Sequence, residues 1–279
     1  PRTIEYHRPA SLDAALMLLQ QPGVRTVPLA GGSWLAPHLQ PGVPGSIDDS
    51  VDAVVDLAGL GLRYVERRSA ADGDLLCLGA MATLAELAEH ADCRQLAGGL
   101  LAEAVRREAP LNLRNAATIG GCIGRADPES EVLLALLALA AYVQIESDET
   151  RLLPLLDVLV DPAAAIGQGL ISEVRRPWPA ASVGGGLARV ARTPADAAIV
   201  AAAAVSDGRD ARLAIGGVTR RPLLLRLGSA AQVQQALAAA LVGAELLADF
   251  RGSAEYRQAM APVVARRALA QAAAQLAGM

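Results

Sequence analysis

The sequence predicts an α+β protein made of two small α/β units and a C-terminal unit of antiparallel strands with a helical tail. Its 279 residues are enough for two or three compact units. Strand-like and helix-like segments alternate in the first part, whereas the last part has strands followed by alanine-rich helices. Proline and glycine concentrate over residues 161–169, where we place a boundary. The predicted units are 1–57, 58–168 and 169–279.

The first unit is predicted to contain one helix between extended segments. Ser11 is placed to cap the helix, and Pro22 follows its end. The apolar face at helical spacing consists of Leu12, Ala15, Leu16 and Leu19. Strands are expected at 26–29 and 53–57, and the segment between them is rich in proline and glycine.

The second and third units continue this pattern. In the second, Thr83 and Glu86 form a capping-box sequence at the start of a helix. Its other expected elements are a strand at 75–80, helices over 96–108 and 132–143, and a hairpin that pairs 142–145 with 151–154. In the third unit we expect strands at 170–175, 186–191, 198–205 and 211–216, then helices over 230–248 and 253–276.

Composition excludes several classes of protein. Apolar residues make up 53% and charged residues 19%, with a net charge of −4, which argues against a disordered or nucleic-acid-binding chain. The three cysteines have no spacing typical of a zinc or iron–sulfur site, so no metal is expected. No leader and no apolar run of membrane-spanning length is evident. A cytoplasmic protein without a membrane span is therefore expected.

Two glycine pairs suggest how the chain could hold a ligand. They lie in Ala30-Gly31-Gly32-Ser33 and Thr118-Ile119-Gly120-Gly121, in different predicted units. Glycine lets backbone N–H groups approach an anion closely, so the two loops could hold an extended anionic cofactor. Two tight turns would give the same dipeptides. The chain lacks a P-loop motif, and Gly59-Leu60-Gly61 lacks the third glycine of a dinucleotide fingerprint.

The residues around these glycines carry a resemblance to a known family. The matching segments are Glu5-Tyr6-His7-Arg8-Pro9-Ala10-Ser11-Leu12, Ala30-Gly31-Gly32-Ser33-Trp34-Leu35, Arg114-Asn115-Ala116-Ala117-Thr118-Ile119-Gly120-Gly121, Leu213-Ala214-Ile215-Gly216-Gly217-Val218 and Ser253-Ala254-Glu255-Tyr256-Arg257. In this order they resemble the FAD-binding medium subunit of the molybdenum hydroxylases, the xanthine dehydrogenase and carbon monoxide dehydrogenase family. The resemblance covers nearly the whole chain. It implies the fold of the vanillyl-alcohol-oxidase-like flavoproteins and FAD as cofactor.

The resemblance also implies site residues. The backbones of two segments would hold the FAD pyrophosphate, aided by the Ser33 and Thr118 hydroxyls: Ala30, Gly31, Gly32, Ser33, Trp34 and Leu35 in the first, and Thr118, Ile119, Gly120, Gly121 and Cys122 in the second. Glu131 stands where the family has an Asp that bonds the sugar-like chain of the flavin. Ile171 matches an apolar residue beside the isoalloxazine ring. Arg189 occupies the place of a family Lys, and Asp196 matches an acidic residue that follows it.

The implied function is electron relay. Two [2Fe-2S] clusters on a small partner subunit would pass electrons to FAD, and FAD would pass them to NAD or another acceptor. A large molybdopterin-binding subunit would oxidise the substrate, and this chain would contribute no catalytic side chain. Departures from the family pattern at Trp34, Cys122, Glu131 and Ala197 leave a second interpretation open: a flavin-free structural subunit of the same kind of complex. A free-standing flavin oxidase is disfavoured because neither glycine loop has a histidine to tether FAD.

Overall fold

A small parallel sheet forms the N-terminal part of the computed structural model, which describes residues 3–39, 50–194 and 196–278. Its strands are β1 (Glu5–His7), β2 (Thr26–Leu29) and β3 (Ala53–Asp56), in the order β1-β3-β2. Helix α1 (Leu12–Leu19) lies between β1 and β2, and the Ser11 side chain accepts from the Ala14 N–H as predicted. A short helix, α2 (Leu35–His38), follows β2. Most of the proline- and glycine-rich segment predicted after it lies outside the described residues.

A five-stranded antiparallel sheet occupies the middle of the chain. Its strands are β4 (Val65–Ala70), β5 (Gly73–Gly79), β6 (Tyr142–Glu146), β7 (Arg151–Pro154) and β8 (Leu170–Pro177), in the order β4-β5-β8-β6-β7. The predicted β6–β7 hairpin is confirmed. Strand β8 begins just after the predicted boundary at residue 168, yet it pairs with both β5 and β6. The division of the chain into three units stays a prediction.

The same part of the chain also contains helices. They are α3 (Leu84–Glu89), α4 (Ala91–Gln95), α5 (Leu100–Glu108), α6 (Leu111–Arg114), α7 (Ile119–Arg125), α8 (Glu131–Ala138), α9 (Leu155–Val160) and α10 (Pro162–Ile166). The capping box of Thr83 and Glu86 is confirmed. The helix predicted over 96–108 is wrong at its start: Ala97, Gly98 and Gly99 have positive φ angles, so the α-helix begins only at Leu100. Every residue of α8 is buried, as its apolar sequence predicts.

The C-terminal part is a second antiparallel sheet with a long helix. Strands β9 (Gly184–Val190), β10 (Val200–Ser206), β11 (Ala211–Gly216) and β12 (Leu223–Leu227) follow one another in the sheet. They precede α11 (Val233–Ala240) and α12 (Ala254–Ala277). The sequence prediction missed β1, β4 and β12, and it extended α11 too far. Strand β12 is an apolar run without alternation, which is difficult to distinguish from a helix by periodicity.

Helix α12 is held on the sheet by close packing and by one buried arginine. A Cβ added at Gly184 or Gly186 of β9 would lie 2.0 Å from a carbonyl oxygen of α12, so glycine is required for this approach. The Arg257 side chain is 1% exposed and bonds the Ile199 and Gly217 carbonyls. None of the helices in the described ranges has the length and apolar character of a membrane span.

Candidate cofactor-binding site

The first glycine loop presents a row of backbone donors. It follows β2, and Gly32 has a φ of +68°, a conformation that glycine adopts without strain. The N–H groups of residues 31–34 donate to no acceptor within the described part of the chain. The Gly32 carbonyl accepts from the Ala36 N–H as α2 begins. Consecutive unpaired N–H groups at a turn are a typical anion-binding arrangement.

The two glycine loops contact each other, although they are far apart in the sequence. A Cβ at Gly31 would lie 1.6 Å from the Ala116 carbonyl oxygen, so only glycine allows the loops to approach this closely. A Cβ at Gly121 would lie 3.8 Å from the Ala30 methyl group, an ordinary van der Waals distance. The structure therefore brings the two predicted loops together.

The second loop differs from the turn that the sequence predicts. Gly120 and Gly121 lie in the first turn of α7, and neither has a positive φ. The N–H groups of Ile119 and Gly120 donate to the Ala82 and Ala80 carbonyls at 3.0 and 2.9 Å. Gly120 is required for packing, because a Cβ there would lie 2.8 Å from the Ala80 Cβ.

The remaining donors of the second loop are also largely used within the protein. The Gly121 N–H donates to Thr118 Oγ1 at 3.1 Å, and the Cys122 N–H donates to the Thr118 carbonyl at 3.0 Å. The hydroxyl hydrogen of Thr118 is still available for a ligand, because Oγ1 only accepts in this cap. The sequence predicts that backbone N–H groups of this loop bind an anion. In the structure, only the Thr118 hydroxyl, next to the exposed Gly121, is left to do so.

A buried ion pair joins two of the other predicted site residues. Glu131, the first residue of α8, is 3% exposed, and its Oε1 accepts from Arg189 Nη1 of β9 at 2.7 Å. Its Oε2 accepts no hydrogen bond from the part of the chain that the structure describes, and Arg107 Nη1 lies 3.9 Å away. Burial raises the pKa of Glu131, while hydrogen bonding and charge from Arg189 act against that rise. Buried carboxylate oxygens normally accept a hydrogen bond, so Oε2 is expected to accept one from a ligand or a water molecule.

Sequence reasoning missed a second carboxyl group beside this pair. Glu108, at the end of α5, accepts from the Val132 N–H at 3.2 Å. Burial is the largest cause that raises its pKa to about 7, and the charges of Asp127 and Glu131 contribute. Burial and the charge of Glu108 also raise the pKa of the Cys122 thiol, which therefore stays protonated at neutral pH. A charged residue at the end of an amphipathic helix gives no sequence signal of burial.

Comparison with known proteins identifies the family. Residues 2–179 match the family model described as FAD binding domain in molybdopterin dehydrogenase. The nicotine 6-hydroxylase medium subunit of Paenarthrobacter nicotinovorans is 31% identical, with 98% of each chain covered. The chain belongs to the FAD-binding medium subunits of the molybdenum hydroxylases. The medium chain of carbon monoxide dehydrogenase from Hydrogenophaga pseudoflava is 29% identical over 99% of each chain.

Solved structures agree with this assignment to the medium-subunit family. The chain superimposes on a chain of the cyanide-inactivated Cu,Mo-CO dehydrogenase with a TM-score of 0.83 and 26% identity, and the match covers 99% of both chains. It also superimposes on a chain of the Hydrogenophaga pseudoflava carbon monoxide dehydrogenase that lacks the Mo-pyranopterin moiety, with a TM-score of 0.80, 27% identity and coverage of 99% and 98%. FAD is the cofactor that the family match indicates.

The residues of this medium subunit are chemically suited to FAD. The N–H groups of residues 31–34, which have no acceptor among the described residues, can donate to a pyrophosphate, and Glu131 Oε2 can accept from a hydroxyl group. Trp34 is 40% exposed, and its ring stacks on His38 with centroids 4.3 Å apart.

The remaining predicted site residues differ in exposure. Ser33 is exposed, and Leu35 is half-buried at the start of α2. Ile171 lies on β8 and is almost fully buried in the main core. Asp196 accepts from the Thr193 N–H at 3.1 Å, and Ala197 is exposed. The described residues contain no group of three or more His, Cys, Asp or Glu side chains that could hold a metal ion.

Proposed function

We propose that the chain is the electron-transfer subunit of a molybdenum hydroxylase complex and that it relays electrons from [2Fe-2S] clusters on a small subunit to NAD or another acceptor. A large molybdopterin-binding subunit completes the complex. The single observation that carries the proposal is the contact between two loops, one of which offers four consecutive backbone donors. When bound, FAD accepts electrons and passes them on as a pair. We also propose the vanillyl-alcohol-oxidase-like arrangement of two subdomains and a C-terminal domain.

The roles of individual residues follow from their geometry. The N–H groups of residues 31–34 hold the pyrophosphate, and the Thr118 hydroxyl donates to it from the second loop. Glu131 uses Oε2 to accept a hydrogen bond from a hydroxyl of the flavin side chain, and Arg189 orients this carboxylate and opposes the rise in its pKa. Ile171 provides an apolar surface near the ring. These assignments, the identity of the acceptor and the cytoplasmic location stay predictions.

A pair of glycine variants tests the role of the loop contact. Gly31→Ala places a methyl group against the Ala116 carbonyl, so the loops must separate and FAD affinity is expected to fall at least about 100-fold. Gly124→Ala is the matched control, because a Cβ there meets nothing within 4 Å. The measurement is the flavin absorbance spectrum of each purified variant and the FAD released on denaturation. Equal FAD content in both variants would contradict the proposed site.

A flavin-free structural subunit is the second candidate. It is favoured by the second loop, whose N–H groups from Ile119 to Cys122 already have acceptors within the protein. A titration of the flavin-free chain with FAD, monitored by the quenching of flavin fluorescence, distinguishes the two candidates. Tight, saturable binding supports the electron-transfer role. Absence of saturation at concentrations that fill other flavoproteins supports the structural role.

A further inference from the structure

A cavity unconnected with the glycine loops opens at one end of the C-terminal sheet. It has a volume of about 440 Å³ and lies beside the turn between β10 and β11. Arg212 of β11 and Arg226 of β12 contribute its positive charges, and Asp207 and Asp210 contribute negative ones. Val183 and Leu227 form part of an apolar wall. This volume falls within the range of about 300–1,000 Å³ for small-molecule sites.

The two arginines of the cavity are direct neighbours across the sheet. Arg212 and Arg226 occupy paired positions in the β11–β12 ladder. Like charges in such positions destabilise a sheet unless something compensates them. Neither guanidinium lies within 4.0 Å of a carboxylate in the part of the chain that the structure describes. Arg212 Nε donates to the Ala138 carbonyl at the end of α8, which fixes the position of its side chain.

A third arginine adds positive charge near this pair. Arg176 of β8 is 7% exposed, and its Nε has no hydrogen-bond acceptor among the described residues. Burial is the main cause that lowers its pKa to about 10, and the charge of Arg212 lowers it further. Burial, together with the charge of Arg226, lowers the pKa of Arg212 as well. The charge of Arg212 thus acts on Arg176, and the charge of Arg226 acts on Arg212.

The acidic residues of the cavity balance its charge only in part. Asp207 Oδ1 accepts from the Arg209 and Asp210 N–H groups at 2.9 and 2.8 Å, so it stabilises the turn, and its charge also acts on Arg212. Asp207, Asp210 and Arg226 are all exposed to solvent, where their charges are screened. The lining itself holds two arginines and two aspartates, and neither aspartate lies close enough to either guanidinium to form an ion pair.

We propose that this cavity binds a phosphate-type oxyanion between Arg212 and Arg226, with the apolar wall in contact with the body of the ligand. Paired guanidinium groups bind phosphate through several charge-assisted hydrogen bonds, and a doubly charged anion would relieve the repulsion between them. The source is either free inorganic phosphate or the phosphate group of a nucleotide. The site is independent of FAD binding and goes beyond the proposed electron-transfer role.

The test uses the full chain saturated with FAD, so that the first glycine loop is not available to the added anion. Inorganic phosphate and AMP are titrated separately at constant ionic strength, maintained with chloride, and binding is measured by calorimetry and by the rise in melting temperature. Saturable binding of either probe is expected. Tighter binding of AMP identifies the nucleotide as the source, whereas equal binding identifies free phosphate.

Three variants localise the binding. Arg226→Gln should weaken it about tenfold or more, and because the Arg226 side chain makes no hydrogen bond or ion pair among the described residues, the fold should be retained. Arg212→Gln should have a similar effect. Arg209→Gln is the matched control. Arg209 lies in the turn between β10 and β11 beside the cavity but does not line it, so this variant should bind like the wild type. The proposal is overturned if neither probe binds saturably, or if Arg226→Gln and Arg209→Gln bind equally well.

Discussion

Individual glycines in the cofactor site have different physical functions. Gly32 is required for its positive φ, whereas Gly31 and Gly120 are required because a Cβ would collide with neighbouring backbone or side-chain atoms. Gly121 has no positive φ, and a Cβ added there would meet nothing closer than Thr118 Oγ1 at 3.1 Å. Substitution should therefore be tolerated best at Gly121 among these four positions.

The free oxygen of Glu131 leads to a prediction about FAD affinity. Glu131→Gln keeps the side-chain size but removes the charge that strengthens a hydrogen bond from a flavin hydroxyl. We expect the Kd for FAD to rise about tenfold, which corresponds to about 1.4 kcal/mol. Fluorescence titration gives the Kd. Glu103→Gln, a nearby acidic residue on α5 that pairs with Arg107, is the control. Unchanged affinity in Glu131→Gln would mean that Glu131 serves only to hold Arg189.

Glu108 should make stability depend on pH. Its pKa in the folded protein is about 7, above the ordinary value of 4.5, so the folded state holds this proton more tightly than the unfolded state does. The stability gained from protonation is fully present below the unfolded pKa and is lost as pH rises through 7. Relative to wild type, Glu108→Gln should gain up to about 3 kcal/mol in free energy of unfolding between pH 5 and pH 8. Urea unfolding at several pH values measures this difference. The exposed Glu149→Gln should show almost no such trend, and a flat profile for Glu108→Gln would contradict the prediction.

At the scale of elements, local signals located the longer helices and most strands but missed the short helices α2, α4, α6, α7, α9 and α10. The caps at Ser11 and Thr83 are found where the sequence predicts them, because a cap is a hydrogen bond between residues three apart. Strand β8 is different, since its place between β5 and β6 depends on partners far away in the sequence. A boundary drawn from proline and glycine alone therefore precedes a strand that completes the preceding sheet.

The attachment of α12 gives a prediction about stability. Arg257 bonds the carbonyls of Ile199, Gly217 and Gly252 and forms ion pairs with Glu129 and Asp249. Arg257→Ala removes the Arg257 donor from the Ile199 and Gly217 carbonyls and empties a fully buried position, and we expect a loss of about 3–5 kcal/mol in the free energy of unfolding. Arg266→Ala, at an exposed position of the same helix, should change it by less than about 0.5 kcal/mol. Thermal or urea unfolding measures both, and similar losses in the two variants would argue against the anchoring role.

At the scale of the whole molecule, the proposed relay requires partner subunits. We expect the chain to co-purify with a molybdopterin subunit and an iron–sulfur subunit when the three are co-expressed. Within that complex, reduced iron–sulfur clusters should bleach the flavin absorbance near 450 nm, about the usual position for an oxidised flavin. The Gly31→Ala complex should assemble but show no such bleaching. Assembly without any flavin signal in the wild type would favour the structural subunit.

The sequence by itself determined the family and the cofactor, because family motifs can be recognised along the chain, and it predicted two glycine loops as the cofactor site. It also determined the course of the chain through β2, α8 and α12. Only the tertiary structure decided that the loops touch at Gly31, that the second loop uses its own N–H groups, and that Glu131 pairs with Arg189 beside Glu108. The charged cavity at Arg212 and Arg226 likewise emerges only from strand register. These features depend on contacts between distant residues, and local propensity and periodicity carry no information about such contacts.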